Sequence, residues 1–188
     1  DLQEACAARL KCEVVQGWGM TETSCGATIL PLDPEKRKPG SAGLLVANQD
    51  LRVVDISTGE NLGPNQSGEL WLHGPNIMQG YLNQPAASRD TVDDEGWLHT
   101  GDIGYIDDDG YLFIVDRIKE LIKYKGLQIA PAELEAVLLS NPAVADAAVI
   151  GRADPEAGEV PKAFVVLKTP VPADEILAFV AEKVAPYK

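Results

Sequence analysis

The chain has 188 residues, of which 45% are hydrophobic and 24% charged, and its formal net charge is -13 at pH 7. Such a composition is typical of a globular protein of one or two domains. The negative charge argues against nucleic acid or an anionic membrane surface as a partner, because both would repel it. No apolar run approaches the roughly 20 residues that a transmembrane helix needs. Three cysteines without a CxxC spacing predict free thiols in a reducing, cytoplasmic setting and no zinc site.

The first part of the chain predicts a helix and then a series of short strands. Residues 2–10 are typical of a helix, and Cys12–Val15 of a buried strand that leads into GWGMTET. Prolines and glycines between residues 30 and 43 predict a loop. Strands are then predicted at LRVVD, ELWLH, GYID and YLFIVD, and Asp108–Gly110 predicts a hairpin between the last two. Residues 40–115 are therefore predicted to form a β-rich subdomain, a distorted barrel.

The remainder of the chain predicts a small α+β unit. AELEAVLL has apolar residues at helical spacing and ends at Asn141–Pro142, while VADAAVIG and KAFVVLK are typical of strands. Asp174 is predicted to cap a final helix through EILAFVAEKV. The predicted fold class is α+β: a distorted β-barrel-like subdomain ends a large domain, residues 1–116, and a small α+β domain follows over residues 117–188.

Four cations lie close together in the segment Asp116–Glu135, DRIKELIKYKGLQIAPAELE. They are Arg117, Lys119, Lys123 and Lys125. In a strongly acidic chain, positive charge concentrated in one segment indicates an anionic ligand, because charge that only maintained solubility would be spread out. The alternative is a solvated helix face on which Glu120 pairs with Lys123.

Residues 16–23, QGWGMTET, have the features of a nucleotide site. Gly17 and Gly19 allow a ligand to approach the backbone closely. Three side chains offer a flat ring for stacking on a base, a hydroxyl for a phosphate oxygen and a carboxylate for Mg²⁺ held by phosphates. They are Trp18, Thr21 and Glu22. A plain turn with a core tryptophan is an equally good interpretation of this motif alone.

Residues 96–102, GWLHTGD, are predicted to end in a turn that projects Asp102. A carboxylate in that position can accept hydrogen bonds from both hydroxyls of a ribose, as acidic residues do in nucleotide sites. The alternative is an ordinary aspartate in a Gly-Asp turn.

Four segments, in this order, resemble the signatures of the adenylate-forming superfamily of acyl-CoA synthetases, luciferases and peptide-synthetase adenylation domains. They are QGWGMTE at 16–22, SGELWLHGPNIMQGYLNQP at 67–85, GWLHTGD at 96–102 and DRIKELIKYKGLQIAPAELE at 116–135. The last of these, with the later DAAVIG and GEVPKAFVV, most resembles the 4-coumarate–CoA ligases. The resemblance implies two reactions: a carboxylate attacks the α-phosphate of ATP to give acyl-adenylate and pyrophosphate, and coenzyme A then displaces AMP.

The resemblance also implies roles for the nucleotide residues. Trp18 matches the aromatic residue that stacks on adenine, where the family usually has tyrosine. Thr21 matches the contact to the α-phosphate, and Glu22 matches the residue that binds Mg²⁺. Asp102 and Arg117 match the residues that hold the ribose.

Further matches belong to the thioester-forming step. Lys119 matches the hinge about which the small domain rotates. Lys123, Gly126 and Gln128 match the face presented in this step, where the glycine leaves room for pantetheine. Gln128 also matches a residue implicated near the acyl and adenylate groups, and residues 24–26 follow the motif where the acyl pocket wall lies in relatives.

Two parts of the family pattern have no counterpart: the Ser/Thr/Gly-rich phosphate loop and the PxxxxGK lysine, since Lys188 does not lie in that motif. We therefore expect a C-terminal part of a longer enzyme that needs its missing N-terminal part and is inactive alone. The expected activity of the whole protein is ATP-dependent ligation of 4-coumarate or a related aryl acid to coenzyme A. A fatty acyl-CoA synthetase, a luciferase-like enzyme and a non-catalytic nucleotide-binding fragment are the alternatives.

Overall fold

The computed structural model of the chain describes residues 2–188. Within them lie four α-helices and eleven strands, which form three antiparallel sheets. The chain divides into two compact units, Asp1–Ile114 and Val115–Lys188. No helix in the described part of the chain is long and apolar enough to cross a membrane.

The first unit contains two sheets and two helices. Its helices are α1 (Leu2–Leu10) and α2 (Pro85–Thr91). A three-stranded sheet consists of β1 (Gly17–Trp18), β2 (Thr28–Ile29) and β3 (Leu44–Leu45), in the order β1-β2-β3. A four-stranded sheet consists of β4 (Asp50–Val54), β5 (Gly68–His73), β6 (Leu98–Ile106) and β7 (Leu112–Arg117), in chain order. The last three residues of β7 already belong to the second unit.

Strand β5 shows why this unit packs as it does. Its residues alternate between the core and the outer face of the sheet, with Leu70 and Leu72 fully buried. Leu70 packs with Val53 and Leu112 in one cluster, which we call the lower core. Leu72 packs with Leu98 in a second cluster, which we call the upper core.

The hairpin predicted at Asp108–Gly110 is confirmed, and its closing contacts come from Asp107. The Asp107 carboxylate accepts hydrogen bonds from Asp109 N–H at 3.0 Å and Tyr111 N–H at 2.9 Å. It also pairs with Lys38 Nζ at 2.5 Å. Burial raises the pKa of Asp107, but the hydrogen bonds from Lys38 and Tyr111 outweigh it and hold the pKa below its usual value.

The second unit packs two helices against one four-stranded sheet. Its strands are β8 (Ile122–Tyr124), β9 (Leu127–Ile129), β10 (Val144–Asp154) and β11 (Gly158–Leu167), in the order β10-β11-β8-β9. Its helices are α3 (Pro131–Leu139) and α4 (Ala173–Ala181). A single apolar cluster joins sheet and helices through Ile122, Ile129, Leu134, Leu138, Val149 and Ile176.

The α+β class is confirmed, and three details of the prediction are corrected. The β-rich part of residues 2–114 consists of two open sheets and no closed barrel. Cys12–Val15 is not a strand, since these residues are exposed or half-buried and pairing begins only at Gly17. Helix α4 begins after Pro172, so Asp174 lies inside its first turn. Its negative charge there interacts favourably with the helix dipole, but its side chain does not cap the helix.

Helix α3 receives its cap from a distant residue. The residue before it, Ala130, offers no side-chain acceptor. Asp116 supplies one: its carboxylate accepts from Ala132 N–H at 3.2 Å and from its neighbour Arg117 N–H at 2.7 Å. Asp116, the first residue of the segment Asp116–Glu135, is therefore hydrogen-bonded to the start of helix α3, in which that segment ends.

We expect Asp116→Ala to destabilise the start of α3 by ~1 kcal/mol, the usual cost of losing a helix cap. Hydrogen exchange at the Ala132 amide should become faster, while exchange in α4 stays unchanged. Asp174→Ala is the matched control. It removes a carboxylate in the first turn of α4 that makes no cap and stabilises the helix only through its dipole, by a few tenths of a kcal/mol. Equal acceleration of both helices by both variants would contradict a capping role for Asp116.

Candidate functional site

The predicted nucleotide motif forms a tight turn at the end of a short strand. After β1 the chain makes a 3₁₀ turn over Thr21–Thr23 and returns through Ser24 and Cys25, whose φ angles are 51° and 79°. Thr23 is fully buried, and its hydroxyl donates to Met20 O at 2.9 Å and accepts from Met20 N–H at 3.0 Å. This side chain closes the turn, and Thr21 remains exposed at its start.

The two glycines of the motif lie against the protein's own backbone. A Cβ on Gly17 would lie 2.8 Å from Thr28 O, on the neighbouring strand. A Cβ on Gly19 would lie 2.5 Å from Cys25 O, on the returning arm of the turn. Both distances are too short for a side chain, so the turn itself requires glycine at these positions.

Trp18 and Asp102, predicted to contact adenine and ribose, lie in direct contact. The Trp18 indole Nε1–H donates to Asp102 Oδ2 at 2.8 Å. The indole is half-buried and packs against both the lower and the upper core, which fixes its plane. Asp102 is 6% exposed, and a carboxylate at that depth requires hydrogen-bond donors.

Asp102 was predicted to lie in a turn, but it lies in the interior of strand β6. The register explains how it leaves the regular ladder: Trp71 pairs with His99, whereas Glu69 pairs with Ile103. Strand β6 therefore contains two more residues than β5 across this interval, which is a β-bulge. Gly101 lies in the bulge with a φ of +71°, a conformation that favours glycine. The bulge turns the side chain of Asp102 towards Trp18.

Two backbone N–H groups at the bulge donate to side chains. Gly101 N–H donates to Glu69 Oε1 at 3.1 Å, and Asp102 N–H donates to Thr100 Oγ1 at 3.1 Å. The Thr100 hydroxyl in turn donates to Leu70 O at 2.7 Å. Sequence reasoning missed Glu69 and Thr100, although a glycine inside an otherwise regular strand is a signal for a bulge.

An aromatic stack covers the outer face of the sheet beside the bulge. The rings of Trp71 and His99 stack with centroids 3.7 Å apart. The Arg52 guanidinium lies 4.9 Å from the Trp71 ring and 3.9 Å from the Trp97 ring. Trp71 Nε1–H also donates to the Glu69 carboxylate at 2.7 Å. The stacked Trp71 therefore holds in place the carboxylate that accepts from Gly101 N–H in the bulge.

Glu22, the predicted magnesium ligand, lies half-buried on the 3₁₀ turn. Its Oε1 accepts a hydrogen bond from Tyr81 Oη at 2.7 Å. The described residues contain no group of three or more acidic, histidine or cysteine side chains that could hold a metal by themselves. A single carboxylate fits Mg²⁺ nonetheless, since this ion is commonly bound by one or two carboxylates together with substrate phosphates.

In the second unit, Lys123 and Gln128 lie opposite each other on a hairpin that the sequence did not predict. They pair across β8 and β9, and both are exposed. The connecting residues Lys125 and Gly126 have φ angles of 48° and 81°, the two positive values that a tight hairpin turn requires. A Cβ on Gly126 would meet no atom within 4 Å, so the turn conformation, not crowding within the chain, favours glycine there.

Lys119 and Arg117 lie on the segment that leads into this hairpin. Lys119 is exposed on a 3₁₀ turn over Ile118–Glu120, with its Nζ 3.9 Å from the Glu120 carboxylate. This neighbour, and not Lys123, is therefore the partner of Glu120. Lys123 N–H donates to Glu159 Oε2 at 2.8 Å, which ties the hairpin to β11 through a carboxylate.

Comparison with known proteins follows the same division of the chain. Residues 1–82 match the family of AMP-binding enzymes, and residues 133–188 match the C-terminal domain of AMP-binding enzymes. The chain is 54% identical over 179 residues to peroxisomal OPC-8:0-CoA ligase 1 of Arabidopsis thaliana, covering 94% of the chain and 33% of that protein. It is 50% identical to 4-coumarate–CoA ligase 3 of Oryza sativa subsp. japonica, covering 100% of the chain and 35% of that protein.

Solved structures of related enzymes share the fold. ATP-bound MatB from Rhodopseudomonas palustris superposes with a TM-score of 0.89 at 31% identity, over 99% of this chain and 37% of that one. The o-succinylbenzoate coenzyme A synthetase of Bacillus subtilis, in complex with ATP and a magnesium ion, gives a TM-score of 0.80 at 39% identity, over 97% of this chain and 37% of that one.

The chain belongs to the adenylate-forming, AMP-binding enzymes. It spans about a third of the length of these two curated relatives, 33% and 35%. Enzymes of this family bind ATP or AMP. Two of the relatives named above are CoA ligases by name, and both solved structures contain ATP.

We expect the Trp18–Asp102 contact to contribute measurably to the stability of the first unit. Trp18→Phe keeps an aromatic ring but removes the N–H donor. The buried Asp102 carboxylate then loses this hydrogen bond, which should lower the free energy of unfolding by about 1–3 kcal/mol. Denaturant titration followed by tryptophan fluorescence reports on this unit, since Trp71 and Trp97 also lie in it.

A double-mutant cycle with Asp102→Ala, which removes the acceptor, separates the contact from the loss of ring area. A coupling energy of about 1 kcal/mol is expected for two groups that share a hydrogen bond. Strictly additive effects of the two substitutions would contradict an energetic contact between them.

Proposed function

We propose that this chain is part of an ATP-dependent carboxylate–CoA ligase that forms an acyl-adenylate and then an acyl-CoA thioester. The observation that carries the proposal is the contact of Trp18 with Asp102, which joins a flat aromatic face to a carboxylate at hydrogen-bond distance. Adenosine needs this pair of groups side by side, since its base stacks and its ribose donates hydrogen bonds. Family membership and the two nucleotide-bound relatives support the same interpretation.

In the adenylation step, the residues of the first unit bind and orient the nucleotide. Trp18 stacks on adenine, and Asp102 accepts hydrogen bonds from the ribose. The exposed Thr21 hydroxyl donates to the α-phosphate, and the backbone at Gly17 and Gly19 shapes the turn that presents it. Glu22 would hold Mg²⁺, which would supply positive charge to offset the charge on the phosphates.

In the thioester step, the exposed hairpin of the second unit provides the working face. Lys123 places a positive charge beside Gln128, on strands that pair directly, so that both reach the same ligand. Gly126 leaves the turn open, in keeping with a narrow chain such as pantetheine passing it. Lys119 is the proposed hinge, and coenzyme A is the second substrate.

For the acyl substrate we propose 4-coumarate or a related aryl acid. The names of the relatives include 4-coumarate and OPC-8:0, so proteins that are about half identical to this chain are named for different acids. A fatty acyl-CoA synthetase or a luciferase-like enzyme is therefore the alternative within the family. We propose the cytoplasm as the compartment, although one relative is named as peroxisomal.

The test uses the full-length protein with ATP, Mg²⁺, coenzyme A and a panel of aryl and fatty acids, with AMP release as the readout. Wild-type protein should turn over aryl acids, and Asp102→Ala should lower kcat/KM for ATP by about tenfold or more, the equivalent of one hydrogen bond to a charged group. Asp94→Ala is the control, since it removes an exposed carboxylate outside this site. Activity confined to fatty acids would rule out the aryl-acid assignment.

A second candidate function is a nucleotide-binding fragment that acts only with the rest of the protein. It is favoured by the fact that the chain spans about a third of its relatives' length while containing the Trp18–Asp102 pair. We propose that the 188-residue chain alone forms no acyl-adenylate at a useful rate. Calorimetric titration with AMP separates the two roles: binding that is lost in Asp102→Ala supports a nucleotide half-site, and absence of binding leaves a structural role.

A hinge at Lys119 makes a further prediction for the full-length enzyme. Lys119→Pro restricts φ and removes a backbone N–H, so it should impair thioester formation far more than adenylation. Pyrophosphate release reports the first step and acyl-CoA formation the second. Lys119→Ala, which removes the side chain but leaves the backbone free, should leave their ratio close to that of the wild type. Equal loss of both steps in the proline variant would argue against a hinge here.

A further inference from the structure

The segment that follows β5 encloses the nucleotide turn. Asn76 Nδ2–H donates to Thr23 O at 2.7 Å, and Ser24 Oγ–H donates back to Asn76 O at 3.0 Å. Two residues later, Met78 N–H donates to Glu22 O at 2.8 Å. The backbone of Glu22 is therefore fixed from outside its own turn, by a segment more than 50 positions away.

Tyr81 lies at the end of the same segment and is itself held by helix α2. Its N–H donates to Ser88 Oγ at 2.7 Å, and Ser88 Oγ–H donates to Gln84 O at 2.9 Å. Gly80 precedes it with a φ of +145°, and a Cβ there would lie 2.8 Å from Ser88 Oγ. The chain therefore needs glycine at this point to place Tyr81 against α2.

The Tyr81 phenol contacts the carboxylate whose backbone this segment already holds. Its Oη–H donates to Glu22 Oε1 at 2.7 Å. This hydrogen bond raises the pKa of Tyr81 above its usual value, burial adds to the rise, and a hydrogen bond with Thr91 opposes it. A phenol has a single O–H to donate, so only one carboxylate oxygen of Glu22 is engaged by Tyr81.

We propose that Tyr81 is a positioning residue for Glu22: it engages Oε1 and thereby orients Oε2 towards a divalent cation bound with the nucleotide phosphates. The inference rests on the proposed role of Glu22. Carboxylates that bind metals usually have their own hydrogen-bond partners, and loss of such a partner typically costs about 10–100-fold in metal affinity or activity.

The experiment measures how strongly Mg²⁺ and nucleotide reinforce each other's binding. The affinity of the full-length protein for a non-hydrolysable ATP analogue is determined by calorimetry with Mg²⁺ and with EDTA, and the ratio of the two dissociation constants is the coupling factor. Tyr81→Phe should lower this factor about tenfold, the lower end of the range above, because the phenol is partly exposed. Its affinity for the analogue in EDTA should match the wild type.

Three variants control the interpretation. Tyr187→Phe makes the same change at a tyrosine of similar exposure, 39% against 37% for Tyr81, and should leave the factor unchanged. Ser88→Ala loosens the backbone of Tyr81 and should lower the factor less than Tyr81→Phe does. Glu22→Gln weakens the ligand itself and should lower the factor at least as much.

The outcomes separate the two proposals. If Glu22→Gln leaves the coupling factor unchanged, the proposed role of Glu22 fails. If Glu22→Gln lowers the factor but Tyr81→Phe does not, the role of Glu22 stands and the inference about Tyr81 is overturned. If Tyr81→Phe weakens analogue binding equally with and without Mg²⁺, its hydrogen bond serves only the structure of the turn, and the inference is likewise overturned.

Discussion

The hydrogen bond from Trp18 to Asp102 is the interaction on which the arrangement of the site depends. It connects residues 84 positions apart, and it exists only because strand β6 departs from its regular register at the bulge. The bulge would be costly if it left buried backbone groups unpaired. Glu69 and Thr100 provide the missing partners, so Asp102 is held by a sheet, and this part of the site is correspondingly rigid.

The nucleotide turn stores backbone strain that its surroundings offset. Ser24 and Cys25 both adopt positive φ angles without being glycine, a conformation that costs about 1–3 kcal/mol at each residue. The internal bonds of Thr23 and the contacts from Asn76 hold the turn in this shape. Because these contacts over-determine the backbone, the side chains of Thr21 and Glu22 are presented in a fixed direction from a turn of only three residues.

Much of the secondary structure could be predicted from the sequence, and the failures have physical causes. The hairpin at Asp108–Gly110 was predictable because Asp-Gly permits the turn locally. The strand prediction for Cys12–Val15 failed because its apolar residues suggest a strand, yet within residues 2–188 no strand pairs with it. The hairpin around Lys125–Gly126 was missed because lysine seldom adopts a positive φ, and its strands of three residues are too short to show alternation.

The sequence by itself determined the family and the α+β class, and it supplied the residues that we propose bind a nucleotide, because the motifs that specify them are local and occur in order. Only the tertiary structure decided how these residues meet. Asp102 was predicted in a turn and lies in a bulged strand, and Gly17 and Gly19 accommodate the chain's own backbone. Tyr81 lies in one of the four family-like segments, but its contact with Glu22 became apparent only in the fold, because hydrogen bonds between distant segments leave no periodic trace in a sequence.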